Sequence, residues 1–336
     1  MVFKKLLGAF GVGGPSVDTV LHTSAAAPAL PGGTVTGQVR LKGGSTDVTV
    51  DHITLDLVAR VEAEGQDGEH EGVVVFDRVT VGGGFRLAEG EERALDFSTV
   101  LPWETPVTHL RGQSLGVVLG VRTELALAGA KDAGDLDQLH IEPLPVQDAI
   151  LEAFGQLGYG FKSADLELGR IAGSGQRLPF YQEIELTPPA QYAHAVNEIE
   201  VTFLADAGGM EVVLEADKRG GLFSAGHDTL TRFTVSHHQT SGTDWNAEVG
   251  SWVERLLGGR GGSYTAHADP YAAKHEYHDG AGHDDGHRRS GPSTGAVVAG
   301  VAAGVAVGVV GGMVAAEVID EIGDAFEDEE DGSDEG

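Results

Sequence analysis

The chain has 336 residues, with 52 acidic against 22 basic side chains and a formal net charge of -30. Two domains and tails fit in that length, and so acidic a chain is a poor match for nucleic acid or an anionic membrane surface, which need a basic face. Cysteine is absent, which excludes disulfides, thiolate metal sites and cysteine nucleophiles and points towards a reducing, cytoplasmic setting.

The chain opens with Lys4 and Lys5 before an apolar stretch broken by Gly8, Gly11, Gly13 and Gly14. No small-residue cleavage site of the signal-peptide kind follows. Phe3, Leu6, Leu7 and Phe10 recur at helical spacing, so the expectation is a short amphipathic helix, docked on the domain or touching a membrane surface.

From residue 15 to about 258 the dominant period is two. Val35, Val39 and Leu41 alternate with polar residues, as do Ile53, Leu55, Leu57 and Val61. The same holds for Leu115 to Leu127, for Phe180, Ile184 and Leu186, for Ile199, Val201 and Phe203, and for Met210, Val212 and Leu214. Such runs predict strands with one buried and one wet face, paired antiparallel and stacked as sandwiches. Gly-rich segments at 31–33, 43–44, 82–84 and 207–209 read as the turns between them. Two helices interrupt the pattern. Residues 147–157 carry Ile150, Leu151, Phe154 and Leu157 on one stripe and read as the element linking two sandwiches. Residues 244–257 carry Trp245, Val249, Trp252 and Leu256, with Asp244 as N-cap and Gly258 as stop.

The expected class is therefore all-β: two antiparallel β-sandwich domains with a few short helices, spanning 1–143 and 144–258. Composition changes at Gly258. Residues 259–290 are nearly devoid of apolar side chains and read as a disordered linker. His267, His275, His278, His283 and His287 lie there among aspartates, a donor set suited to a divalent metal, although the spacing follows no defined site; the alternative function they offer is a metal- or pH-responsive binding protein. Residues 291–316 hold Gly300, Gly304, Gly308 and Gly312 in phase, a glycine zipper that lets a second helix approach closely. Membrane association through 295–316, self-association into a homo-oligomer, and simple disorder are the three readings of this segment. Residues 317–336 form an acidic tail.

Catalytic motifs are missing. No glycine run continues into Gly-Lys-Ser/Thr, no nucleophile elbow sits on a strand-to-helix turn, and no His-Glu-x-x-His occurs. Glu183 and Glu185 share one strand face and read as its wet side. His237 and His238 read as surface residues. No enzymatic activity is expected. Trp103 in the proline-flanked segment 101–106 is the first candidate for a partner contact; the alternative is that it caps the sandwich core.

Several ordered blocks resemble one family. They are Val17-Asp18-Thr19-Val20-Leu21, the run 31–44 (Pro-Gly-Gly-Thr-Val-Thr-Gly-Gln-Val-Arg-Leu-Lys-Gly-Gly), and Leu101-Pro102-Trp103-Glu104-Thr105-Pro106. Further on come Val121-Arg122-Thr123-Glu124-Leu125, Pro143-Leu144-Pro145, Leu178-Pro179-Phe180-Tyr181-Gln182-Glu183 and Leu214-Glu215-Ala216-Asp217-Lys218-Arg219. They are similar, over about residues 1–257, to the bacterial SpoOM-type sporulation-control proteins. The resemblance implies two arrestin-like sandwiches joined by a short linker. It also implies a regulatory or scaffolding role in sporulation, division or envelope processes, with no known enzymatic reaction and no catalytic residues to carry over. The resulting expectation is an adaptor that acts through protein partners and has no cofactor.

Overall fold

Period-two runs in the first half become two antiparallel sheets. The structure, a computed structural model, describes residues 13–23, 27–65, 68–128, 133–218, 229–240, 242–258 and 313–314. Strands β1 (Ser16–Leu21) and β2 (Thr34–Lys42) pair with each other, and β2 also pairs with a later strand, β5 (Glu92–Val100). Opposite them β3 (Val48–Gly65) pairs with β4 (Gly68–Leu87) on one side. On its other side β3 meets β8 (Leu119–Leu127), which in turn pairs with β9 (Ala133–Gln138). Inward residues of both sheets, among them Val35, Val39, Ile53, Leu57, Phe76 and Leu125, share one core. Each large aliphatic or aromatic side chain removed from water there contributes about 1.5–3 kcal/mol.

The glycines at 82–84 correct the sequence expectation of a turn. They lie inside β4, where the ladder to β3 slips between Ile53 and Thr54. Gly83 has φ +146°, and a Cβ there would sit 2.3 Å from the Asp51 carbonyl oxygen. The run therefore marks a bulge in one long strand, where two backbones approach too closely for a side chain.

Between the halves lie a small hairpin, β6 (His109–Leu110) with β7 (Gln113–Ser114), and helix α1 (Pro145–Gln156). Pro145 opens the helix where its missing N–H costs nothing, and the Gln147 side chain accepts the Leu144 N–H at 2.8 Å. Five antiparallel strands follow: β10 (Gly160–Leu168), β11 (Phe180–Thr187), β12 (Val196–Asp206), β13 (Gly209–Lys218) and β14 (Thr229–Val235). Helix α2 (Trp245–Gly258) closes the domain, and Asp244 caps it through the Ala247 N–H at 3.1 Å.

The second half is a sheet covered by helices. Ile150 and Phe154 of α1 and Val249 and Trp252 of α2 pack on Ile199, Val212 and Leu214 of the sheet. Helix α1 thus belongs to the second core as its covering layer, because its apolar stripe packs on the apolar face of this sheet. The opposite face carries the polar alternates. The two halves are continuous: β10 runs parallel to β3 at Glu167 and Glu62, and Phe180 meets Phe76 edge-on, ring centroids 5.6 Å apart. A final short strand, β15 (Met313–Val314), pairs antiparallel with Val73 and Val74 of β4. It falls inside the segment read as a helical zipper.

Candidate functional site

The outer face of the second sheet gathers carboxylates from four adjacent strands. Asp165 stands opposite Glu183 across β10 and β11, and Glu200 stands opposite Glu215 across β12 and β13. Carboxylate oxygens of Asp165, Glu167 and Glu183 all lie within 4.8 Å of one another. Glu183, Glu200 and Glu215 line one small pocket together with Ile171, Tyr181, Thr202 and Val213. Burial, then the charges of Glu200 and Asp165, push Glu183 up to about 10, so it keeps its proton at neutral pH. Tyr181 is raised as well, by burial first and then by Glu183.

Two residues along the same strand, Glu185 behaves oppositely. Burial works to raise it, yet hydrogen bonds from Lys162 (2.7 Å) and Ser163 (2.6 Å) outweigh that and hold it below the usual carboxylate range. This corrects the reading of both glutamates as a uniform wet side: one is a protonated member of a crowded cluster, the other an ion-paired anion. Chemically the cluster can hold a proton or offer an all-oxygen donor set of the kind hard cations take.

A second carboxylate pair closes the seam of the first sandwich. Asp135 of β9 accepts the backbone N–H of Thr19 on β1 at 2.6 Å. Asp137 is hydrogen-bonded to Asp135, and its Oδ2 is buried with no partner among the described residues. Burial first, then the charges of Asp135 and Asp18, raise Asp137 to about 8. On the other face of the sheet Asp56, fully buried, is clamped by Arg78 (2.5 and 2.7 Å) and Arg122 (2.7 Å) from the strands on either side. Burial opposes its ionisation, but the two guanidinium groups hold its carboxyl below the usual range.

The halves are latched at several points. Glu104 accepts the backbone N–H groups of Arg177 and Leu178, each at 2.8 Å. Gln182 makes a two-way pair with the Val107 backbone at 2.9 and 2.8 Å. Trp103 is half-buried, lies on Gly32, packs against the second core and stacks on His237 with centroids 4.9 Å apart. His237 in turn bonds the Asp206 carbonyl at 2.6 Å. The ring of Trp103 is thus committed to contacts within the chain, and His237, read as a surface residue, is a junction residue.

The remaining sequence candidates, namely His267, His275, His278, His283 and His287, Gly300, Gly304, Gly308 and Gly312, and the stretch Phe3 to Phe10 expected to be helical, lie outside the described residues. Among the described residues no helix is long and apolar enough to cross a membrane. The carboxylate clusters were missed because single-strand alternation marks an acid as outward-facing without saying which acids face it. The repeated acids of 183–185, 198–200 and 211–215, all on alternating strands, were the available signal.

Comparison with known proteins agrees with this architecture. A family model described as SpoOM protein matches residues 3–220. The sporulation-control protein spo0M of Bacillus subtilis (strain 168) is 34% identical over 218 residues, covering 65% of this chain and 81% of that protein. The crystal structure of Spo0M from Bacillus subtilis superposes with a TM-score of 0.62 and 29% identity, covering 74% of this chain and 99% of that one. With the matched region running through both halves of the latched fold, the chain belongs to the SpoOM protein family.

Proposed function

We propose that this protein is a non-enzymatic, cytoplasmic regulatory adaptor of sporulation control that acts by binding other proteins. The observation that carries the reading is coverage: the likeness extends over 99% of the crystallised Spo0M chain and over 81% of the Bacillus subtilis protein. Interdomain latches support it, since they make the two halves one stiff platform. Among the described residues, strands β5 and β14 end their sheets and leave backbone groups able to accept a partner strand. The tail adds two proposals resting on sequence alone: divalent-metal capture by its histidines, and self-association or membrane tethering through its glycine stripe.

The test is complementation of a Bacillus subtilis strain lacking Spo0M, scored by spore formation. The chain should restore sporulation. An Asp165→Asn, Glu183→Gln variant should restore it equally, because an adaptor needs no acid–base chemistry at the cluster. Failure of the accumulated wild-type chain would overturn the sporulation role. Failure of the folded variant alone would overturn the non-enzymatic reading.

A further inference from the structure

A groove of about 370 Å³ runs between the β6–β7 hairpin and the C-terminal half of α1, floored by β10 and β11. That volume falls within the range of about 300–1,000 Å³ typical of small-molecule sites, which favour such interdomain positions. Leu110, Leu151, Phe154, Tyr159, Phe161 and Leu186 supply its walls. Phe161, 49% exposed, is one of two large apolar side chains the described residues leave in solvent. It makes the mouth apolar too.

One wall is held under strain. Arg111, at the tip of the hairpin, has φ +54°, the one non-glycine residue in the left-handed region among the described residues. Its N–H and that of Gly112 donate to the Glu142 carboxylate, each at 2.9 Å. Its guanidinium reaches Asp148 at 3.0 Å and Glu152 at 2.9 Å on α1. A disfavoured backbone conformation persists where surrounding contacts over-determine it, and such positions gather at ligand clamps.

The charges define the occupant. Every charged group around the groove is already paired: Arg111 with Asp148 and Glu152, and Glu142 with two backbone donors. An anion would meet three carboxylates against one guanidinium, and each of those carboxylates already accepts a hydrogen bond among the described residues. The unused polar group of the lining is the Tyr159 hydroxyl, buried with no hydrogen-bond partner among the described residues. We propose that this groove is a binding site for a neutral, predominantly apolar small molecule, walled on one side by the Arg111-latched hairpin.

The test titrates the full chain with N-phenyl-1-naphthylamine, a neutral apolar dye that brightens on leaving water. Saturable binding at one dye per chain is expected, displaced by 1-decanol and at least tenfold less well by decanoate. Gly155 lines the groove, and a Cβ there meets no atom within 4 Å. Gly155→Leu should therefore fill the groove and weaken dye binding at least tenfold. The melting temperature should hold or rise, since leucine favours a helix over glycine. Phe161→Asp, at an exposed position, should weaken it severalfold. Non-saturable binding to the wild-type chain, equal displacement by decanoate, or undiminished affinity in both variants would overturn the proposal.

Discussion

Trp103 and His237 lie nearly face to face across the domain junction, their ring planes 25° apart and their centroids 4.9 Å apart. Trp103 comes from a loop of the first half, and His237 from the turn after β14 in the second. A Cβ at Gly32, whose φ is +70°, would come within 2.5 Å of the indole, so the ring sits directly on the backbone.

Removing this stack should loosen the junction. Trp103→Ala should lower unfolding free energy by about 2–4 kcal/mol, near the low end for large-to-small core changes because the ring is only half-buried. His237→Ala should cost less. A double-mutant cycle in urea should give a coupling of about 0.5–1.5 kcal/mol, the worth of an aromatic pair beyond its burial. Additive effects would show that the two rings act independently.

The Asp135–Asp137 pair should make stability fall as pH rises. Asp137 is raised in the folded state to about 8, well above its unfolded value, so folding takes up a proton. Its contribution is fully present below about pH 4, the ordinary aspartate value, and is lost as pH climbs towards 8. Asp137→Asn fixes the neutral form. At pH 8 the variant should be more stable than wild type, on the order of 1–3 kcal/mol, and the difference should vanish near pH 4. Denaturation midpoints across that range check it. The neighbouring charges are Asp135 and Asp18, both acidic, so no nearby cation reverses the sign.

Glu183 should carry a proton at neutral pH. The sign is the same: raised to about 10, it favours the folded state most below its unfolded value, and that contribution declines up to pH 10. Infrared difference spectra at pH 7 should contain the carbonyl stretch of a protonated carboxyl group, absent in Glu183→Gln. A wild-type spectrum without that band would mean that the cluster is ionised.

Asp56 should behave in the opposite way. Its carboxyl is held low by Arg78 and Arg122, so its contribution is present above the ordinary aspartate value and is lost on acidification. Asp56→Ala leaves two guanidinium groups facing each other across one strand and should cost about 3–5 kcal/mol. Arg78→Ala should cost less, because Arg78 is half-exposed and Arg122 still pairs with the aspartate. Thermal unfolding of the three proteins at pH 7 orders them.

Much of the architecture was legible in the chain. Alternation located the β2, β3, β11, β12 and β13 regions, because a strand with one buried face must alternate whatever its partner. Helix α2 was legible down to its cap, since Asp244 acts on a backbone N–H only three residues away. The strand read from Leu115 begins at Leu119, because Gly116 at φ +82° bends the chain first. The covering layer of the second half was not legible: a helical stripe announces a buried face without naming the surface that buries it.

The sequence by itself determined the local elements, the excess of acid and the exclusion of cysteine chemistry, all of which depend on composition or on spacings of a few residues. Only the tertiary structure decided which acids meet. Thr19 and Asp135 are 116 positions apart, and Glu183, Glu200 and Glu215 converge through the registers of three separate strands. Desolvation and like-charge repulsion act through space, so the same glutamate is an ordinary surface anion or a retained proton according to neighbours that no local pattern names.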